Sequence, residues 1–199
     1  MKTTIQLVMI VVLMAATSVS VTAQRTVQEN AATSFSLEID PATFVFDGYS
    51  LHLRIQPQSS DHFLLGAGIY AMEMPSILVD FNKENRDKGW EVRLNRGIGL
   101  FLEHHFSEVH NQWFVGAQAG IQEYKIEKES FEGSEKFTNV LLMGYGGYTF
   151  RPFQFPVYFK AWGGLGYTSK IKGNNTLADE KYAISPITMF ATLHIGYTF

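Results

Sequence analysis

No cysteine occurs in the 199 residues. That excludes a disulfide framework, thiolate catalysis and a thiolate-held metal. A lipid-anchored bacterial lipoprotein is excluded as well, because it needs a cysteine after its cleavage site and position 24 is Gln. Charge of one sign is also lacking. Sixteen Lys and Arg stand against 19 Asp and Glu, a formal net charge of −3. This is neither a nucleic-acid footprint nor an acidic tail, so no nucleic-acid partner is expected. Beyond the first two dozen positions there is no long apolar run. The best windows are broken by Gly, His, Lys or Gln, and no membrane-spanning helix is predicted.

What the chain does have is a distinctive start and an abundance of rings. Lys2 precedes an apolar run from Ile5 to Ala16, broken only by Gln6, and a small-residue segment ends at Val21-Thr22-Ala23. Small residues at −3 and −1 predict a signal peptide over 1–23, leaving 24–199 as one domain. The chain carries 16 Phe, 9 Tyr, 3 Trp and 17 Gly.

Two-residue alternation is the main structural signal. Over Ile187 to Phe199, the odd positions Ile187, Met189, Ala191, Leu193, Ile195, Tyr197 and Phe199 share one face. Thr188, Phe190, Thr192, His194, Gly196 and Thr198 share the other, with Phe190 out of character. The same alternation predicts strands over Pro156–Lys170, Thr138–Phe150, Trp113–Tyr124, Leu94–Phe106, Phe63–Met74 and Tyr49–Gln56. An eighth is expected within Phe35–Phe46, bulging or turning at Pro41, which lacks a ladder donor. The fold class is therefore all-β: an antiparallel, up-and-down transmembrane β-barrel of eight strands.

The connections supply an independent check. Pro57–His62, Ser107–Gln112 and Arg151–Phe155 are short, whereas Pro75–Arg93, Lys125–Lys136 and Ile171–Ser185 are long and charged. Short turns on the side of both termini and long external loops are the barrel pattern. Tyr148, Phe150, Phe153, Phe155, Tyr197, Phe199, Phe106 and Trp113 cluster near the predicted periplasmic ends, as an interfacial girdle would.

With this signal peptide, these strands and the ending Gly196-Tyr197-Thr198-Phe199, the chain resembles eight-stranded outer-membrane barrels of the OmpA and OmpX kind. It looks most like small barrel proteins of Bacteroidota. The segments Leu37-Glu38-Ile39-Asp40-Pro41 and Gly48-Tyr49-Ser50-Leu51 are similar to a recurring opening in such proteins. The resemblance implies residence in the bacterial outer membrane, in contact with its lipid. It also implies that Ile195, Tyr197 and Phe199 are read by the barrel-assembly machinery during insertion.

Few residues offer chemistry. Strand phase sends Arg54, Glu103, His105, Lys160 and His194, with His52, into one narrow lumen. Side chains fill so small a lumen, and its charges must pair. Glu103 bridging Arg54 or Lys160 in a plug is the expectation, with a gated ion path as the sharper variant. His104, His105 and His110 lie near Glu103 and Glu108, but adjacent strand residues face opposite ways, so no metal or other cofactor is expected. His105-Phe106-Ser107 with Glu103 has the spacing of a base and a nucleophile. It lies at the periplasmic end, however, and no Gly-x-Ser-x-Gly elbow is present.

The function expected is thus a structural or surface-interaction barrel without catalytic activity, a narrow porin-like path being a variant of it. Two other classes remain open. One is an outer-membrane lipid-modifying enzyme of deacylase or phospholipase type. The other is a soluble, lipocalin-like ligand-binding barrel.

Overall fold

The computed structural model describes residues 32–199 except 153. The expected signal peptide and Phe153 lie outside the described residues. Eight strands form a closed antiparallel ring: β1 (Ser34–Ile39), β2 (Tyr49–Gln56), β3 (Phe63–Glu73), β4 (Trp90–His105), β5 (Gln112–Lys128), β6 (Phe131–Phe150), β7 (Val157–Gly173) and β10 (Ile187–Thr198). The intervening β8 (Thr176–Leu177) and β9 (Glu180–Lys181) make a small hairpin in the last upper loop. Two short helices, α1 (Pro41–Val45) and α2 (Ser76–Val79), lie in the first two upper connections. Here the lower end is the one where β1 begins and β10 finishes.

Strand phase follows the alternation closely. Along β5, Trp113, Val115, Ala117 and Ile121 are exposed while Phe114 and Gln118 are buried. Along β2, Tyr49, Leu51 and Leu53 face out and Ser50, His52 and Arg54 face in. The out-of-character Phe190 packs inside beside Trp162, with ring centroids 5.6 Å apart. Outward residues form an apolar belt around the ring. Along β4 and just past its end it runs from Ile98 to Phe106, interrupted by the outward His104, and on β5 from Trp113 to Ile121, nine residues each.

Above the belt the structure departs from expectation. The loop expected over Lys125–Lys136 is instead strand, with Lys125 opposite Lys136 and Lys128 opposite Phe131. Outward residues here are Glu123, Lys125 and Glu127, whereas Ile126 and Phe137 are buried. Alternation therefore continues with charge outside, as in a sheet facing water. On β4 the register shifts between Leu94 and Arg96. This bulge turns Leu94 and Val92 inward although Ile98 and Leu100 point out. Trp90, Val92, Ile126, Phe137 and Leu177 then join Val79 in an apolar cluster under the upper loops.

The predicted strand Phe35–Phe46 is overlong: it stops at Ile39. Asp40 caps α1, its carboxylate accepting from the Ala42 N–H at 2.9 Å, and Pro41 occupies the first turn. Both are favoured helix starters, which overrides the strand pattern. In consequence β1 meets β10 over only four residue pairs, from Ser36–Thr198 to Ile39–Ile195. Higher up, Ile187–His194 of β10 pair with β7 on one side. On the other side α1 takes the place of a strand among the described residues.

Candidate functional site: a charged plug below an apolar cavity

Arg54 on β2, Glu103 and His105 on β4, Lys160 on β7 and His194 on β10 all point into the lower lumen and are almost fully buried. The structure brings them together through Glu103 and a sixth residue, Glu38 on β1. The Arg54 guanidinium donates to Glu38 at 2.9 Å and lies 3.4 Å from Glu103. The Lys160 ammonium donates to Glu103 at 3.0 Å and also to Glu38. The His194 ring contacts Glu38 at 3.0 Å, and the His105 ring contacts Glu103 at 3.3 Å. Two phenols complete the shell, Tyr158 donating to Glu38 at 2.9 Å and Tyr145 to Glu103 at 3.0 Å. Within this group two carboxylates face two cations, and the buried Asp40 carboxylate lies 4.0 Å from the other nitrogen of the His194 ring. The Arg54 guanidinium also lies 4.4 Å from the centre of the Phe101 ring.

Glycines opposite the large side chains make room for this packing. Arg54, His52, Tyr145 and Tyr158 sit directly across from Gly66, Gly68, Gly116 and Gly196 on the adjacent strand. A Cβ on Gly196 would come 2.1 Å from the Tyr158 ring, and one on Gly68 2.2 Å from the His52 ring. Each side chain therefore lies flat across the bare backbone of its neighbour. Register decides which glycine meets which ring, and the sequence by itself does not state register.

The turn after β4 seals the lower mouth. His110 holds a left-handed backbone, φ 61°, that non-glycine residues seldom adopt. This turns its ring into the barrel, stacked 3.8 Å from Tyr158 and 3.0 Å from the Ser36 hydroxyl. Burial, then the positive field of Lys160, holds its imidazole well below the usual 6.5. Well above pH 6.5 neither folded nor unfolded His110 is charged. Below it the unfolded chain gains a proton that the folded chain refuses. Stability is therefore expected to fall as pH drops from about 6.5, with a limiting slope near 1.4 kcal/mol per pH unit. His110→Phe keeps a ring over Tyr158. Urea midpoints between pH 7.5 and 5 should decline less steeply in this variant; equal slopes would rule out His110 as the titrating group.

His104, beside His105, turns to the outer surface, where its ring lies 5.0 Å from Phe63. The two do not converge on a metal position. The Ser107 carbonyl accepts from His62 at 2.6 Å, whereas the His105 ring turns inward to Glu103. The base–nucleophile pairing considered for His105 and Ser107 is not assembled. Ile195 and Tyr197 stand on the lower outer face of β10, and Phe199 follows at its end, 71% exposed.

Above the plug lies a cavity of about 220 Å³. Its floor is His52, Phe101, Trp162 and His194, and its roof is the loop cluster around Val79 and Tyr182. On one wall polar groups satisfy each other: Gln118 and Gln122 donate to Tyr70 at 3.1 and 3.3 Å, and Tyr124 donates to Gln122 at 3.0 Å. The remaining walls are largely apolar, with Met72, Leu94, Leu141, Met143 and Phe190 prominent. Sequence alternation assigned Phe190 to the inner face but gave no sign of the space it borders.

Fold and site together define a class: a closed eight-stranded up-and-down barrel, apolar outside, with an ion-paired plug in its lumen. No family model matches the chain, and no curated protein matches it. Among solved structures it is similar to the N-terminal β-barrel domain of Pseudomonas aeruginosa OprF. That likeness has 13% identity, covers 86% of this chain and 100% of that domain, and has a TM-score of 0.41.

Proposed function

We propose that this chain is a bacterial outer-membrane barrel with a sealed lumen, displaying its upper strands and loops as a contact surface and catalysing no reaction. The belt is the observation that carries the reading. Nine residues of predominantly apolar exterior match the length a tilted strand needs to cross a bilayer. A soluble barrel exposing Leu100, Ile98 and Leu165 at 65%, 58% and 64% would bear an aggregation-prone surface. Paired charges across the lower lumen support the sealed state, because opening an ion path would break the Glu38 and Glu103 contacts. Ile195, Tyr197 and Phe199 are, in this reading, the assembly signal at the lower rim, Ile195 half-buried and Tyr197 and Phe199 exposed.

Cell fractionation tests the location: the protein should follow outer-membrane markers and resist alkaline extraction. Planar-bilayer recording tests the seal. The unmodified barrel should give no conductance steps, and steady channel activity would overturn the sealed reading. The belt makes a further prediction. Leu100→Arg should destabilise the lipid-refolded barrel by about 2–4 kcal/mol, the cost of a mid-bilayer cation. Glu91→Arg, outward on the same strand but above the belt, should change stability by less than about 0.5 kcal/mol. Equal effects in urea titrations would place the bilayer elsewhere.

A further inference from the structure

The cavity above the plug does not end at the barrel wall. It is lined by Thr188, Phe190 and His194, which face inward, and also by Ile187 and Met189, which face outward. A space bordered by successive residues of both phases lies along the backbone of that strand and reaches its unpaired side. That side belongs to the upper part of β10, where pairing to β1 has stopped at Ile39–Ile195. Asp40 and Thr43 border the same space from the opposite side, at the start of α1. The Thr192 hydroxyl donates to the Asp40 carboxylate at 2.8 Å and marks the lower lip of the opening.

The surroundings of this gap are apolar, although it lies among the upper connections. Val45 and Phe44 on α1 are 79% and 53% exposed, and Ile77 on α2 and Phe81 beyond it are 75% and 63% exposed. Loop residues bathed in water are charged, as Lys83, Glu84, Arg86 and Lys88 further along the same connection are. The apolar rim is continuous with the belt, since Ile187, Met189 and Tyr49 belong to both. The gap therefore faces the medium the belt faces.

We propose that this opening is a lateral portal through which one acyl chain of a surrounding bilayer lipid enters the cavity. The inference rests on the membrane reading above. A chain tip sliding past Met189 would meet Phe190, Leu141 and Met143, and would come to rest over Trp162 on the floor. On the wall, Gln118, Gln122, Tyr70 and Tyr124 bond one another, whereas His52 Nδ1 and Asn139 Oδ1 are buried without a partner and are the two lining atoms an acyl chain leaves unsatisfied. An apolar cavity of about 150 Å³ already holds a benzene ring, and this one is larger. The plug beneath gives the chain a floor, so the tip reaches no water. The headgroup stays outside, at the level of α1.

Tryptophan quenching by lipids brominated along the acyl chain tests this, because the three Trp, at 90, 113 and 162, occupy different places. In the variant with Trp90→Phe and Trp113→Phe, Trp162 reports on the cavity floor. In the variant with Trp90→Phe and Trp162→Phe, Trp113 reports on the outer belt. Reconstituted in brominated phospholipid, both reporters should lose most of their emission. Filling the cavity by Leu141→Phe or Thr188→Phe should restore Trp162 emission and leave Trp113 quenched. If one filled barrel fails to fold, the other serves, with heat-modified gel mobility as the check on folding.

An unquenched Trp113 would defeat the membrane reading itself. A quenched Trp113 beside an unquenched Trp162 would defeat the portal alone. Trp162 quenching that survives both filling variants would mean that bromine acts through the wall, again overturning entry. Quenching of Trp162 by added brominated fatty acid but not by brominated phospholipid would overturn the assignment to a bilayer lipid.

Discussion

Glu38→Ala is expected to cost the barrel about 3–5 kcal/mol, the penalty of leaving buried charges without their partner. Glu38 receives Arg54, Lys160, Tyr158 and His194. Removing its carboxylate leaves Arg54 and Lys160 sharing Glu103, with one unit of positive charge uncompensated. Attraction within the plug is strong, but dehydration of four charges opposes it, so the intact network adds little net stability. Breaking it is different, because dehydration persists while the attraction is lost. Balance can be restored without restoring the carboxylate. Glu38→Gln combined with Lys160→Met leaves Arg54 facing Glu103 and should recover much of the stability lost in Glu38→Gln alone. Urea titrations in lipid vesicles measure all three variants. A loss below about 1 kcal/mol for Glu38→Ala would mean that water reaches the plug.

Deleting residues 195–199 is expected to prevent barrel formation altogether. The ring closes through Ser36–Thr198, Leu37–Tyr197, Glu38–Gly196 and Ile39–Ile195, and this deletion removes every partner. Both edges would then carry unpaired N–H and C=O groups in the bilayer, at several kcal/mol for each. Refolding followed by the heat-modified gel shift should show no compact species. Single substitutions separate closure from recognition. Phe199 is 71% exposed and follows the last ladder pair, so Phe199→Ala should refold in vitro nearly as the parent does. If it belongs to the assembly signal, its yield in the outer membrane should drop several-fold in cells. Equal cellular yield would remove it from that signal.

Strand phase was legible because inside and outside differ at every second residue. The inward placing of Arg54, Lys160 and Glu103 needed nothing more. Glu38 was harder to see as the hub of the plug, since it lies on a six-residue strand that ends at a capped helix. Recognising Asp40-Pro41 as cap and first turn, rather than as a faulty strand, would have exposed both the short β1 and the gap above it. The upper parts of β5 and β6 were hidden for another reason. Alternating Glu123, Lys125 and Glu127 looks like a charged loop unless the intervening Ile126 is given weight. Pairing Tyr158 with Gly196 or Arg54 with Gly66 needs the register of two strands, which only the folded ring specifies.

The ribbon of β5 and β6 continues above the belt and ends in the two-residue connection Glu129-Ser130. From Ile121 to Lys128 it climbs about 23 Å along the strand, or roughly 16 Å along the barrel axis at a 45° tilt. Ion pairs brace its base, among them Arg96 with Glu123 at 3.0 Å. In the proposed reading, a partner of this surface would thus meet a hydrogen-bonded ribbon whose shape exists before contact. Ordering such a surface costs little entropy on binding, in contrast to a floppy loop that must be frozen by its ligand.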